Sequence, residues 1–591
     1  MKQFFLNVLA SFLGLMLYSF VSFFLFFGMI GIVTAIGGGQ KNVIIKPNSV
    51  LHLNFKSEIV DRTSSSDFDL SALINDSESS IGLNDILESI NRAKTDPNIC
   101  GMFIDNDDVN AGFATINEIR EAIVSFKESG KFVYAYANDM AQGGYYLASA
   151  ADKIVLNPLG NLTFKGLQAS VMYYKDALDK LGVEMQIFRH GKFKSAVEPY
   201  FLNKMSDANR LQYQVLLSSI WNQTLDNISA SRNISKEELN KIADSFAAYE
   251  VTEALKLNMI DDLMYRTAMI DNLAKAAGAK DADNLNLVSI KKYSKAKPVN
   301  VKQKEKIAVI YASGEIERET SMYSTSASIT PKEYVETLRK VRADSSVKAV
   351  VLRVNSPGGD ALSSDIIWNE VALTKQVKPI IVSMGDYAAS GGYYISCAAS
   401  KIIANQSTLT GSIGVFGVIP NAQKLTRDKL GLNVEVVKTN ELSDFLGSVY
   451  KPISEPAGKV LQNRVETIYG TFVSRVSDGR GMSPESVDEI GQGRVWSGFD
   501  AKRIGLVDDF GGLTKAIETA ADIAGISNYA LVDYPEQEEG IEVIMKMLGD
   551  EVFARKINSY LGEFGESVKS VNSIIKSQGV QARMENIVTI H

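Results

Sequence analysis

Apolar positions follow one another without a charged residue along residues 4–36, from Phe4 through Leu13, Phe20 and Phe26 to Ile36. A run well beyond the roughly 20 residues that cross a bilayer predicts a transmembrane helix. It is too long for a signal peptide, whose apolar core is about 7 to 15 residues, so it reads as an uncleaved anchor ended by Gly37, Gly38 and Gly39. Lys2 precedes it and Lys41 and Lys46 follow, a weak charge bias. One span before a large body favours a cytoplasmic amino terminus with the body across the membrane.

Beyond the anchor the pattern becomes short, continuous apolar runs alternating with stretches of helical period. Residues 51–55, 101–105, 132–137 and 153–156 read as buried strands, and 83–93, 114–127, 143–151 and 172–181 as helices. Residues 307–311, 349–354, 380–384 and 401–404 repeat the strand order. Strands alternating with helices predict an α/β fold with a largely parallel sheet covered by helices. The Lys-rich stretch 292–305, with Pro298, reads as a linker. The acidic stretch 533–540 reads as a turn, and the residues after it as an amphipathic helical tail used in packing or assembly rather than in chemistry.

The repetition is internal duplication. Gln142-Gly143-Gly144-Tyr145-Tyr146 and Lys153-Ile154-Val155 recur as Ser390-Gly391-Gly392-Tyr393-Tyr394 and Lys401-Ile402-Ile403, at a constant offset of 248 residues. A period this long means two copies of one domain rather than a solenoid. The length also exceeds the ceiling of about 250–300 residues for one core. The expected organisation is an anchor over 1–40, an amino-terminal repeat over 41–298 and a carboxyl-terminal repeat over 299–591.

Composition narrows the function. A net charge of −7 with no long basic block argues against nucleic-acid binding. The two cysteines, Cys100 and Cys397, stand at non-equivalent repeat positions in apolar surroundings and read as free thiols. The three histidines, His52, His190 and His591, show no ligand spacing with cysteine, so no metal site is expected, and nothing calls for a cofactor.

The chemistry gathers in the second copy. Ser390 lies between a strand-like run and an apolar helical stretch, where free N–H groups at a helix start favour a developing alkoxide. Gly391 and Gly392 leave room for an approaching backbone. Taken alone, Ser390 reads as an ordinary helix cap. Upstream, Val354-Asn355-Ser356-Pro357-Gly358-Gly359 runs a strand into a Pro-Gly-Gly turn whose N–H groups can form an oxyanion hole. The first copy has Gln142 for Ser390, and Asn110 and Ala111 for Gly358 and Gly359, so it lacks both features. A Ser-His-Asp arrangement needs a histidine, and His190 is the one mid-chain candidate. Beside it, Lys192 and Lys194 flank Phe193; aligned through Lys180-Leu181-Gly182 and Lys429-Leu430-Gly431, the second copy carries Ser443 where the first has Lys194. Spacing alone leaves Lys194 a surface lysine.

Four ordered motifs add a resemblance. Lys194-Ser195-Ala196-Val197-Glu198-Pro199, Val354 to Gly359, Ala388-Ala389-Ser390-Gly391-Gly392-Tyr393-Tyr394 and Thr408-Leu409-Thr410-Gly411-Ser412-Ile413-Gly414 resemble the long, duplicated form of the bacterial signal peptide peptidase A family. The similarity spans the anchor and both repeats and is weakest beyond about residue 533. It implies tandem Clp-protease/crotonase-like repeats and a serine endopeptidase of the inner membrane, its body on the periplasmic side, degrading cleaved signal peptides and similar apolar peptides. It also implies a Ser/Lys dyad of Ser390 and Lys194, oxyanion donors from Gly359 and Gly391 beside Gly358, Ser412 as hydrogen-bond partner of the lysine, and a homotetramer. Two rival readings use the same residues differently. A crotonase-type acyl-CoA enzyme would need the glycine pair but not Ser390 or Lys194, and an inactive membrane scaffold would need none of them.

Overall fold

Val350, Val351, Leu352 and Val354 have no exposed surface, and the strand they build, Val347–Ser356, lies in the middle of a parallel sheet. Strands buried on both faces read as continuous apolar runs, which is why this stretch shows no alternation. The computed structural model describes residues 7, 10–22, 24, 43–63, 80–296, 303–319, 328–446, 449–537 and 581–584. The expected membrane span therefore lies largely outside the described residues. Its described part, 10–22, is helical with exposed apolar side chains such as Phe12, Leu15 and Phe20. Among the described residues no helix is long and apolar enough to cross a membrane.

Each copy builds its own sheet, wholly parallel in the first and parallel in the second except where Leu409–Gly411 pairs antiparallel with Val495–Ser497. In the first, the strand order is Asp262–Leu263, Lys153–Leu156, Phe132–Ala137, Ile99–Asp105, Ser49–Leu53 and Asn286–Ser289. In the second, Ala530–Tyr534, Lys306–Ser313, Val347–Ser356 and Ile380–Ala389 follow one another in parallel. Residues 381–384 of the last strand then pair with Lys401–Ala404, and residues 387–389 with Leu409–Gly411. A long helix also recurs, Asp207–Arg232 and Glu455–Arg480, each of 26 residues. Ser206 and Ser454 cap their starts by accepting from Asn209 and Ala457 N–H groups, and Asn233 and Gly481 end them in left-handed conformation.

The sequence reading places the central strand at 380–384, but it continues to Ala389. The small residues that look like a turn stay extended because they gain a second neighbour. Tyr387 pairs with Leu409 and its N–H also donates to Asn355 Oδ1 at 3.1 Å. The linker reading also needs correction, since residues 290–295 form the helix Ile290–Lys295, held by buried Ile290 and Tyr293.

The copies are not independent bodies. One apolar core holds Leu53, Ile104 and Ile119 of the first copy together with Ile307, Val351, Ile381 and Leu513 of the second. A further sheet joins them by hydrogen bonds, Glu184–Arg189 of the first pairing antiparallel with Phe416–Asn421 of the second. That sheet brings Lys194 to the end of the strand that carries Ser390.

Candidate active site

Ser390 sits where the Ile380–Ala389 strand turns into the helix Gly391–Ser396. Its backbone has φ 53° and ψ −113°, a region that non-glycine residues rarely occupy, at a cost of about 1–3 kcal/mol. Two backbone bonds hold the turn: Ser390 N–H donates to Gly411 at 2.8 Å and its carbonyl accepts from Tyr394 N–H at 2.8 Å. At Gly392 a Cβ would meet the Ser356 carbonyl oxygen at 2.6 Å, so only glycine lets the helix start pack against the upstream glycine turn. The strained turn aims the buried serine oxygen at the first copy.

Lys194 arrives from that copy. After the strand Glu184–Arg189 the chain crosses to the other half, where Phe193 N–H donates to Gln492 at 3.0 Å, and Lys194 then precedes the short helix Ser195–Val197. Its stem lies on two glycines of the second copy: a Cβ at Gly493 would meet Lys194 backbone and Cβ at about 2.6 Å, and one at Gly414 would meet Cδ at 3.2 Å. Nζ lies 2.8 Å from Ser390 Oγ, 3.0 Å from Ser412 Oγ and 3.2 Å from the Ser412 carbonyl oxygen. All three partners are uncharged, and Lys194 is only 1% exposed. Burial therefore drives its pKa well below the ordinary lysine range. A neutral amine has two N–H donors and one lone pair, which match the two Ser412 oxygens and the Ser390 hydroxyl.

Gly358 and Gly359 have φ 104° and 156°, and a Cβ on Gly359 would strike the Ile316 carbonyl oxygen at 2.0 Å. The two are not equivalent donors. Gly358 N–H donates to Ser356 Oγ at 3.2 Å, which leaves the Gly359 N–H to face the groove beside Ser390. Replacing Gly359 by Ala should shift this turn and lower kcat by about 10²–10³-fold, the usual effect of losing one oxyanion donor. Steady-state kinetics on variant whose melting curve stays cooperative checks this, and kcat within about threefold of wild type would remove Gly359 from the oxyanion site.

The groove holds a strand of the chain itself. Gln581–Arg583 pairs antiparallel with Gly358–Asp360, and Met584 N–H donates to the Pro357 carbonyl at 2.8 Å. For residues 581–584 this corrects the reading of the stretch after residue 540 as a helical packing element. Residues 581–584 are extended because the Gly358–Asp360 edge offers unpaired backbone groups, and edge hydrogen bonds decide the conformation of so short a segment. Residues 538–580 and 585–591 lie outside the described residues.

The corresponding place in the first copy is filled. Gln142 Oε1 accepts from Lys165 and Gly166 N–H groups at 3.0 and 3.1 Å, and its Nε2 donates to Gly166 at 3.1 Å. His190 is not at Ser390; its ring stacks on Tyr469 at 3.7 Å, with Nδ1 2.6 Å from Glu466. Ser443 is exposed and bonded to Asn440. Cys100 and Cys397 are free thiols, with burial raising the pKa of both.

The sequence reading missed an ion cluster behind the site. Arg353 is fully buried; its Nε donates to Asp61 at 2.9 Å, and its Nη1 donates to Glu118 at 2.7 Å and to Ser383 at 3.0 Å. Asp61 also accepts from Asn355 and Ser313, each at 2.8 Å, and Glu118 accepts from Leu513 N–H at 2.8 Å. Burial pushes both carboxyls up; at Asp61 the Arg353 charge and its hydrogen bonds outweigh that and hold it low, whereas at Glu118 burial prevails. Three residues before the end of the strand that leads into Ser390, Asp386 accepts from Thr115 Oγ1 at 2.6 Å and Thr115 N–H at 3.1 Å. The signal was present: one arginine inside Val350-Val351-Leu352-Arg353-Val354 has to find a buried counter-charge.

The model of peptidase family S49 matches residues 125–280 and 372–527, one stretch in each copy. Protease 4 of Haemophilus influenzae is 35% identical over 549 residues, covering 88% of this chain and 87% of that protein. The chloroplastic serine protease SPPA of Arabidopsis thaliana is 31% identical over 553 residues, covering 92% of this chain and 78% of that protein. Among solved structures, ClpP1 from Listeria monocytogenes aligns with 34% of this chain and 91% of its own at 15% identity, with a TM-score of 0.23.

Proposed function

The chain belongs to peptidase family S49, in the long, duplicated form of signal peptide peptidase A, and is a serine protease; from that premise we propose that Ser390 is its nucleophile and Lys194 its general base. The observation that carries the proposal is a fully buried amine 2.8 Å from the serine oxygen, with only neutral hydrogen-bond partners. Burial favours the neutral form of such an amine, the form that can accept a proton.

The reaction then runs in two balanced steps. Ser390 Oγ bonds to a peptide carbonyl carbon while Lys194 takes the hydroxyl proton, and the carbonyl oxygen, now negative, rests against Gly359 and Gly391 N–H groups. The C–N bond breaks, the departing nitrogen receives the proton from Lys194, and an ester remains on Ser390. Water, deprotonated by the same amine, cleaves that ester and restores the hydroxyl. Ser412 keeps the amine directed at Ser390 through its Oγ and carbonyl oxygen.

The substrates are extended, largely apolar peptides such as signal-peptide remnants. An apolar pocket beside Lys194, lined by Leu216, Leu409 and Val495, supports this, as does the open edge of Gly358–Asp360, which receives a strand. The apolar run 4–36 supports attachment to the cytoplasmic membrane, with the body on the periplasmic face. The resemblance to signal peptide peptidase A supports a homotetramer as the assembly. Lys194 and Ser390 meet within one chain, so the tetramer is not required to unite them.

A serine-reactive phosphonate probe should label Ser390 in the wild type and nothing in Ser390→Ala, with labelling and kcat/KM both rising with pH through the depressed Lys194 pKa. An acid limb near the ordinary lysine value of about 10.4 would exclude Lys194 as the base. Stability carries the same signature. Between the depressed pKa and about 10.4 the unfolded chain binds a proton at residue 194 that the folded chain does not, so stability rises with pH by about 1.4 kcal/mol per unit. Lys194→Met should remove that slope and raise the melting temperature at pH 7 while abolishing labelling, which differential scanning calorimetry across pH resolves.

A further inference from the structure

We propose that Glu315 makes this site selective for a cationic side chain on the residue just after the cleaved bond, an inference that rests on Ser390 and Lys194 acting as a peptidase pair. The register of Gln581–Met584 carries it. In an antiparallel ladder, hydrogen-bonded residue pairs alternate with non-bonded ones. Met584 N–H donates to Pro357 at 2.8 Å, so Met584–Pro357 is a bonded pair. The next bonded pair is Ala582–Gly359, which are partners in the ladder, and it turns the Ala582 carbonyl toward the Gly359 N–H. The same oxygen lies against the other glycines of the turn: a Cβ on Gly358 would meet it at 2.3 Å and one on Gly391 at 3.1 Å. Ala582 thus occupies the position of the residue whose carbonyl is attacked.

The residues that follow then stand where a leaving peptide would. Arg583 Nη2 donates to Glu315 Oε1 at 2.5 Å, with 14% and 33% of the two side chains exposed. Met584 reaches the apolar pocket beside Lys194, whose amine has to hand its proton to the departing nitrogen. Chain direction and base position therefore agree on which side is leaving. Glu315 cannot drift from this place, because the next residue, Ile316, pairs with Gly359. A carboxylate half withdrawn from water attracts an opposite charge and repels a like one more strongly than a fully exposed one. The preferred sequence is accordingly a small residue, a cation and an apolar residue, cleaved after the first.

The test uses the full-length protein and three synthetic peptides copying residues 576–588, with Arg583 kept, changed to Ala or changed to Glu. Wild-type enzyme should cut between positions 582 and 583 by mass spectrometry, with kcat/KM for the Arg peptide about tenfold above Ala and the Glu peptide lowest. Glu315→Gln should bring the three within about twofold, and Glu315→Lys should place Glu above Arg. Competition from the chain's own strand is common to all three peptides and cancels in these ratios. Equal wild-type rates, cleavage at another bond, or an unchanged order in Glu315→Lys would overturn the proposal. The wild-type comparison decides it even where a Glu315 variant does not fold. Labelling of Ser390 separates the two readings: no labelling overturns the peptidase pair and this selectivity with it, whereas labelling without the Arg preference overturns the selectivity alone.

Discussion

Ser390→Ala and Lys194→Ala should each lower kcat/KM by about 10⁴-fold or more, and the double variant should be no worse than either. The two atoms act as one unit, since an unactivated hydroxyl is a weak nucleophile and an amine without the hydroxyl has nothing to deprotonate. Ser390→Ala loses one oxygen from a fully buried site, so folding should be retained. Lys194→Arg should not restore activity. A guanidinium stays protonated at any usable pH, and its planar fork does not match a pocket bounded by Gly414 and Gly493. Turnover per folded chain, measured for the wild type and these four variants, checks the prediction. Near wild-type turnover in Lys194→Ala would reduce Lys194 to a buried structural residue and leave the activation of Ser390 to another group.

The second large effect is on stability. Asp61→Ala should destabilise the protein by about 3–5 kcal/mol, because it strips a buried arginine of one of its two carboxylates. The Asp61 contribution is present above the unfolded carboxyl range and is lost as pH falls through its depressed folded value. Glu118→Ala should cost less at neutral pH, since burial already opposes the ionised form there. Separating the copies removes both carboxylates from Arg353 at once and uncovers the apolar core they share. Residues 303–591 alone should therefore neither fold cooperatively nor cleave peptide. Urea unfolding of the point variants and of that fragment measures this; a folded, active fragment would show that the second copy supplies its own base.

Much of this was legible before the fold was known, and for identifiable reasons. Runs such as Phe132–Ala137 and Lys153–Leu156 are strands as read, because a strand buried on both faces must be apolar throughout. The constant 248-residue offset exposed the duplication, and the substitution of Gln142 for Ser390 separated the two copies chemically. Arg353 inside an apolar strand implies a buried counter-charge, but its partners Asp61 and Glu118 stand 292 and 235 positions away, and no local pattern points to them. Residues 581–584 were misread because amphipathic periodicity describes only a segment's own preference. An exposed sheet edge elsewhere in the molecule imposed the opposite conformation.

What the sequence determined by itself is local: element type from hydrophobic period, the tight turns that only glycine permits, and the presence of a serine with a glycine pair in one copy alone. What the tertiary structure decided is everything that depends on pairing between distant segments. Lys194 and Ser390 are 196 positions apart, and no spacing rule relates them. They meet because Glu184–Arg189 crosses to Phe416–Asn421 and because Gly414 and Gly493 leave room for a lysine stem. The chemical character of that lysine is likewise a tertiary property. Burial removes the water that would stabilise its charge and so lowers its pKa, and that burial is built jointly by the two copies.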